Sequence, residues 1–455
     1  MAVPHRRVWR CTLLGKYFSK LTIGGSLNIN GVIRHYKVNS GANVSAGDFV
    51  EFVTKCGNSV YNDTSNTSLV TACKLDEKSV FLAYKYSSDS TELRCAVGVI
   101  KNGEIFVTSE KTLFTSASIY QVSVASLTSS KTLIAFCSSH NVIGFSCTIL
   151  NYEIVSTVQA TIHDGDVNNN AESVSVIRLS DNEAFITYSC DQIMWDYHME
   201  EIWSVTDTSL TRLSGISKNL SHAPTNIVAT ALSNDKIFML YRSGNNAVGL
   251  VCTVDGVEIS NGSRISLHDA SSTYAVAALT DNTILAIIYS DAILASVYTI
   301  DGTSITKTNL TTISNDTNGY FSVARVDDHK VFLTYATNSS TLEGVVCTIS
   351  TDGITLGDKV TLDANRTSLL NNSTVVFSDN SVLVASSGSL GTIIGATIYG
   401  NLVIANTEVE PIGTYVQPAT SNLHNVGVAK TSGTAGQTVK VYCVGYPSTD
   451  YGKLQ

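Results

Sequence analysis

A chain of 455 residues can bury a large core, and its net charge of −9 with only 15% charged residues speaks against a sequence-independent grip on nucleic acid phosphates. Proline is rare (5) and glycine moderate (31), while Ser, Thr, Asn and Val abound, which suits many short strands with polar turns better than helices. No run of about 18 apolar residues occurs, and the first residues lack the unbroken apolar core of a signal peptide, so a soluble chain made in a cytoplasm is expected.

In chain order, residues 1–58 carry strand-like runs at 8–14, 26–29, 32–38 and 49–53, with turns at Gly24-Gly25, Asn30-Gly31 and Gly47-Asp48. Asn-Gly between two alternating runs is a hairpin signal. Arg6, Arg7 and Arg10 make a small basic tip, for which a solvated tail or a local contact suffices.

An array then begins. Its anchor is a Leu-like residue, a polar turn and an apolar run that ends in an aromatic nine positions on. The pairs are Leu75/Tyr84, Leu127/Phe136, Leu179/Tyr188, Leu232/Tyr241 and Val326/Tyr335; Leu279 has Tyr289 one place late, and Phe377 has lost the aromatic. A strand precedes each anchor, and a third and fourth follow around turns such as Asp255-Gly256, Asp301-Gly302 and Asp352-Gly353. Cys147, Cys252 and Cys347 recur in Cys-Thr-Ile/Val runs, the behaviour of a small buried hydrophobe, and no Cys-x-x-Cys pair points to zinc or redox chemistry.

Four antiparallel strands per repeat, seven times, predict an all-β seven-bladed β-propeller over 59–411. Radial packing buries both faces of each sheet against neighbours and leaves short edges. Leading strands rich in Ala, Ser, Val and Thr suit a crowded axis. A β-solenoid competes, but its rungs are normally shorter. Beyond Pro411 the repeat stops, and residues 425–442 read as strand, glycine-rich turn and strand. Propeller ends lie close together, so residues 1–58 and 412–455 are expected to form one small β-barrel into which the propeller is inserted.

Chemistry is sparse. There is no Gly-x-Ser-x-Gly, P-loop, His-Glu-x-x-His or dinucleotide glycine pattern, and no catalytic, cofactor-binding or metal-binding residue is assigned. Asp164, Asp166 and Asn168 are spaced as in a calcium loop, but Asn169 and Ser175 stand where its glycine and closing glutamate belong. The third unit departs from the rest between its second and third strands, where Trp195, Tyr197 and His198, with Trp203 nearby, make the most aromatic surface-loop candidate. Such rings beside carboxylates suit sugar stacking or a protein contact, and a loop folded over a neighbouring blade is the alternative.

The two ends carry a resemblance. Gly47-Asp48-Phe49-Val50, and Gly427-Val428-Ala429 with Gly433, Gly436 and Gln437, look like the "Gly-Asp-x-Val" strand and the "Gly-Val-Ala…Ala-Gly-x-x-Val" hairpin of head-decoration (cement) proteins of tailed bacteriophages. The repeat style resembles tail-fibre-like proteins from phages of Gram-positive gut bacteria. The resemblance covers some thirty residues and brings no catalytic group. It implies a virion structural protein, assembled in the host bacterial cytoplasm, with an anchor barrel docked on the particle and a propeller held outward. Head decoration is the first reading; a tail-fibre or receptor-binding protein recognising host glycan, and a polysaccharide-degrading propeller, are the others. Implied partners are the major capsid protein, or tail or baseplate proteins, with host-surface or mucosal glycans and a homo-oligomer such as a trimer as further associations. Neither nucleic acid nor membrane is among them.

Overall fold

The computed structural model describes strands at 33–38, 43–44, 49–53 and 59–60, the stretch 66–406 apart from short connecting segments, and strands at 415–418, 425–429, 433–434 and 438–443. The chain divides into two units, one from Met1–Lys55 with Glu410–Gln455, the other Cys56–Val409. The strand runs expected at 8–14 and 26–29 lie outside the described residues.

In the larger unit, seven antiparallel sheets follow one another among the described residues, each a meander of four strands, joined in three of them by a fifth strand off the main path. Their leading strands are Asn66–Asp76, Gln121–Thr128, Asn169–Ser180, Thr225–Ser233, Thr273–Thr280, Phe321–Asp327 and Asn372–Val376. Each leading strand lies against the next, and the seventh lies against the first. The anchor spacing has a direct structural cause. The Leu-like residue ends the leading strand, a tight turn follows, and the second strand carries the aromatic into the core, where Tyr84, Phe136, Tyr188, Tyr241 and Tyr335 are all buried.

The turn chemistry repeats as well. The residue after the anchor accepts a hydrogen bond on its side-chain oxygen from the backbone N–H two places on, as in Lys78 N–H to Asp76 Oδ1 (2.7 Å), Ser130 N–H to Thr128 Oγ1 (3.2 Å), Asn182 N–H to Ser180 Oγ (3.3 Å) and His329 N–H to Asp327 Oδ1 (2.8 Å). The carbonyl of that third turn residue then takes the N–H of the third strand, as Val205 N–H to Asn182 O and Val254 N–H to Asp235 O show. The short polar side chains between hydrophobic runs are therefore structural parts of the hairpin. At the outer hairpins Gly256 and Gly302 sit at φ +61° and +59°, the left-handed geometry that two-residue β-turns require.

The core is distributed between sheets. Seven clusters of buried side chains among the described residues each draw on two consecutive sheets. One of them joins Val70, Leu82 and Ala96 of the first sheet to Phe377 and Leu383 of the seventh. Cys147, Cys252 and Cys347 are fully buried, as their recurrence suggested.

A serine hydroxyl ties neighbouring leading strands together. Ser123 Oγ accepts from Val176 N–H (3.0 Å), Ser322 Oγ from Thr374 N–H (3.0 Å) and Ser373 Oγ from Ala72 N–H (2.9 Å). Each donor stands three places before its anchor and each serine four places before its own, so the same contact serves different seams, including the one from seventh sheet to first. Two further devices act at that last seam. Ser59–Val60 pairs with the third strand of the seventh sheet through Val60↔Thr392 and Ser59↔Ile393. Glu77 accepts from both Ser378 N–H (2.9 Å) and Ser378 Oγ (2.6 Å), and the hydrogen bond from Lys74, followed by these two, holds its carboxyl down at about 2.

In the smaller unit, Ile33–Val38 pairs with Tyr415–Pro418 and with Thr438–Cys443. Phe49–Val53 pairs with Tyr415–Pro418 and Asn425–Ala429, and the latter pairs with Thr438–Cys443, so the ladder returns to the strand on which it began.

The serine contacts make a quantitative expectation. Replacing Ser373 or Ser123 by Ala strands a backbone N–H and should cost about 1–3 kcal/mol in urea unfolding. Equal losses at the two positions are expected; a negligible loss at Ser373 would mean that the seventh-to-first seam is closed by other contacts.

Candidate functional site

Lining up the third strands of the sheets exposes what sets the third one apart. Gly144-Phe-Ser-Cys147-Thr-Ile149, Gly249-Leu-Val-Cys252-Thr-Val254 and Gly344-Val-Val-Cys347-Thr-Ile349 share a pattern that becomes Glu200-Glu201-Ile-Trp203-Ser-Val205 in the third sheet. The registers agree: Gly144 faces Ala135, Gly249 faces Leu240, Gly344 faces Thr334, and Glu200 faces Thr187. Glycine there makes room for neighbours. A Cβ on Gly144 would lie 2.9 Å from Ile162 Cδ1, on Gly249 2.8 Å from Leu267 Cδ1, and on Gly344 2.6 Å from the Phe332 ring. The third sheet places a carboxylate where these three need space.

Both glutamates are fully buried, and as successive strand residues they face opposite sides of the sheet. Glu200 turns toward the fourth sheet, where Asn261 Nδ2 donates to its Oε2 at 2.7 Å. On the same face, Glu200 Oε1 lies 3.7 Å from His198 Nδ1, and His198 Nε2 is 2.8 Å from Thr187 Oγ1. The His198 ring packs against Tyr241 of the fourth sheet, 5.4 Å between centroids. Burial pushes the Tyr241 phenol up to about 12.

Glu201 faces the second sheet. Trp203 Nε1 donates to its Oε2 at 2.7 Å, and its Oε1 takes Tyr188 OH at 3.1 Å and Arg212 Nε at 3.1 Å. Burial raises the Glu201 carboxyl above the ordinary carboxylate range, and the Trp203, Arg212 and Tyr188 donors oppose that rise. The His163 ring stacks obliquely on Tyr188 at 5.7 Å, and burial lowers its pKa.

This geometry corrects the expectation of an exposed aromatic loop. Tyr197, His198 and Trp203 lie on the strand Asp196–Val205; His198 (0% exposed) and Trp203 (5%) are core residues, and Tyr197 is half-buried. Trp195 lies outside the described residues. The hairpin is not a loop insertion throughout. Pairing continues to Asp191↔Asp196, one pair beyond the equivalent of Ser138↔Asn141 in the second sheet. The missed residues are Glu200 and Glu201, and the repeat alignment itself held the signal, a glycine position turned to Glu beside a Cys position turned to Trp.

Two carboxylates that face opposite sides of one sheet cannot flank one scissile bond. What they do is structural: Glu200 binds the third sheet to the fourth, and Glu201 gathers donors from within the third. Among the described residues no group of three or more His, Cys, Asp or Glu is placed to hold a metal ion. Asp164 is exposed, and Asp166 and Asn168 lie outside the described residues.

Of the anchor residues, Phe49 and Val50 lie on the strand Phe49–Val53, and Gly427, Val428 and Ala429 on Asn425–Ala429. The two strands are direct neighbours, with Phe49↔Val428 and Val50↔Gly427 in register. Gly433 faces Val44 in a short second ladder. Gly47, Asp48, Gly436 and Gln437 lie outside the described residues.

No protein-family model matches the chain, and no curated protein does. Solved structures do. The WD40 domain of coronin from Toxoplasma gondii superposes with TM-score 0.50 at 9% identity, over 82% of this chain and 94% of that one. A lectin from the fungus Aleuria aurantia, described as a six-bladed β-propeller with a novel fucose recognition mode, gives TM-score 0.41 at 12% identity, over 65% and 96%. A protein from Lactobacillus plantarum gives 0.44 at 12% identity, over 65% and 85%. At such identities the likeness concerns the fold alone. The chain is all-β, built of antiparallel four-stranded sheets of the β-propeller kind.

The Glu201 environment gives a pH dependence with a definite sign. A carboxyl raised on folding contributes stability that is complete below its unfolded pKa and is lost as pH rises through the folded value. Thermal melts of Glu201→Gln against the parent between about pH 4 and 8 should therefore show the difference shifting in the variant's favour as pH rises. A difference that stays flat would show that the buried carboxylate ionises without penalty.

Proposed function

We propose that this chain is a non-enzymatic structural protein of a bacteriophage virion. It attaches to the particle through a small barrel built from its two ends and carries a seven-bladed β-propeller, with decoration of the head as its place.

The observation that supports this reading is the register between the two ends. Phe49-Val50 and Gly427-Val428, which resemble strands of one compact cement barrel, stand in separate parts of the sequence and pair as neighbours. The repeat unit supplies the reason why such a split is tolerable. Its first and seventh sheets share a serine bond, a Glu77–Ser378 contact and a core cluster, so the segments entering and leaving the repeats need not lie far apart. Seven sheets with seven inter-sheet cores fit a seven-bladed ring. The non-enzymatic reading draws on the third sheet, whose most distinctive carboxylates are spent on hydrogen bonds inside the protein.

Imaging of the intact particle with a copy count tests the assignment. Hundreds of copies over the shell are expected; a few to a few dozen at the tail would move the protein to a fibre or baseplate role, and none would end the virion reading. A chain lacking residues 412–455 should fail to attach while its repeat unit keeps a cooperative melt, and a truncated chain that still docks would refute the anchor.

A further inference from the structure

Each of the seven sheets ends on an outer strand that pairs on one side only among the described residues. Such an edge presents a row of backbone N–H and C=O groups to any strand that can approach, and proteins blunt it with charge, breaks, bulges or brevity. Six of the seven edges are blunted by charge, breaks or brevity. Glu110 and Lys111 stand within Glu104–Thr115 of the first sheet, Arg212 and Lys218 within Leu210–Leu220 of the third, and Lys307 within Ser304–Ser314 of the fifth. The outer edges of the fourth and sixth are broken into four-residue pieces, Glu258–Asn261 with Ile265–His268 and Gly353–Leu356 with Val360–Asp363. That of the seventh is the five-residue Leu402–Asn406.

The second sheet is the exception. Its outer strand Glu153–His163 is eleven residues long and carries no Lys, Arg, Asp or Glu after Glu153. The first sheet occupies its beginning, where Thr108 Oγ1 donates to Tyr152 O (2.7 Å) and Ile154 N–H donates to Ser109 Oγ (3.1 Å). Register shifts set Val155 and Ile162 outside the ladder, and between them Ser156–Thr161 pairs regularly with Ile143–Thr148. Lys111 Nζ of the first sheet meets this stretch at a side chain, Thr157 Oγ1 (3.4 Å), and not at the backbone. Three of the eight exposed large hydrophobic residues among those described, Leu150, Tyr152 and Val155, belong to this one hairpin. The second sheet thus keeps a regular, uncharged edge beside exposed apolar side chains.

We propose that a second copy of this chain pairs with this edge in antiparallel fashion, joining two second sheets into one of eight strands, four from each, about a two-fold axis at Gln159. The strand is compatible with its own reverse. About that axis Gln159 stands opposite the partner's Gln159, Thr157 opposite the partner's Thr161, and Val158 opposite the partner's Ala160. Amide meets amide, hydroxyl meets hydroxyl and apolar meets apolar, and no like charges are opposed. Side chains alternate along a strand, so Thr157, Gln159 and Thr161 share one face of the joint sheet and Val158 and Ala160 the other, as they do in the single chain. A strongly acidic or basic foreign strand finds no countercharge on this stretch. A two-fold copy matches it pair for pair, and main-chain hydrogen bonds supply the affinity.

Sedimentation velocity of the full chain over about 1–100 µM in about 0.15 M NaCl reads the association. Gln159→Lys, Gln159→Glu and their equimolar mixture are run beside the parent. Gln159 is exposed, so either charge should leave the thermal melt of the chain unchanged. The parent is expected to dimerise. Each charged variant alone should weaken the dimer roughly tenfold, because like charges meet at the axis, and mixing the two should restore it by setting Lys opposite Glu. A parent that stays monomeric over the whole range, or a dimer indifferent to both charges, overturns the proposal. A dimer weakened by both charges and not restored by mixing overturns the pairing of this edge with itself and assigns the edge to a different surface.

Discussion

The repeat unit depends on how closely its leading strands can approach one another. Each lies between two like neighbours, so a strand of large side chains would hold the sheets apart and open the cores between them. Serine resolves this constraint twice over. It is small enough for close approach, and its hydroxyl accepts an N–H from the next leading strand that the sheet ladder itself leaves unpaired, as at Ser123, Ser322 and Ser373. The seven hydrophobic clusters behind these bonds follow from the same approach, because each is filled from two sheets at once.

The third sheet departs from this economy. Its glycine position has become Glu200 and its cysteine position Trp203, and the changes are coupled, since the indole N–H is one of three donors that make the neighbouring Glu201 carboxylate tolerable in the core. A buried carboxylate is expensive unless hydrogen-bonded, and here tyrosine, tryptophan and arginine are all recruited to one group. On the opposite face Glu200 makes a polar joint among apolar ones, tying the third sheet to the fourth through Asn261.

Much of the architecture was legible because it repeats. The nine-residue interval from Leu75 to Tyr84 and its successors fixed the hairpins, and the recurring Cys-Thr-Ile/Val marked buried third strands. The aromatic stretch of the third sheet misled for a physical reason. Composition near Trp195 looks like a surface loop, since aromatic and acidic residues together are more often exposed, and only the pairing of Glu200 with Thr187 shows that the pattern continues a strand. Pairing of Phe49 with Val428 and the seating of Ser59–Val60 in the seventh sheet are contacts across more than 300 residues, which periodicity cannot reveal.

The serine bond from Ser373 to Ala72, which joins the seventh sheet to the first, has the geometry of the bonds from Ser123 and Ser322, which join sheets that follow one another in the chain. A chain permuted to begin at another leading strand would keep these bonds, while Ser59–Val60, which precedes the first sheet and pairs in the seventh, would need a new place in the order. Where the chain enters the repeats is in this respect separable from how the sheets are joined.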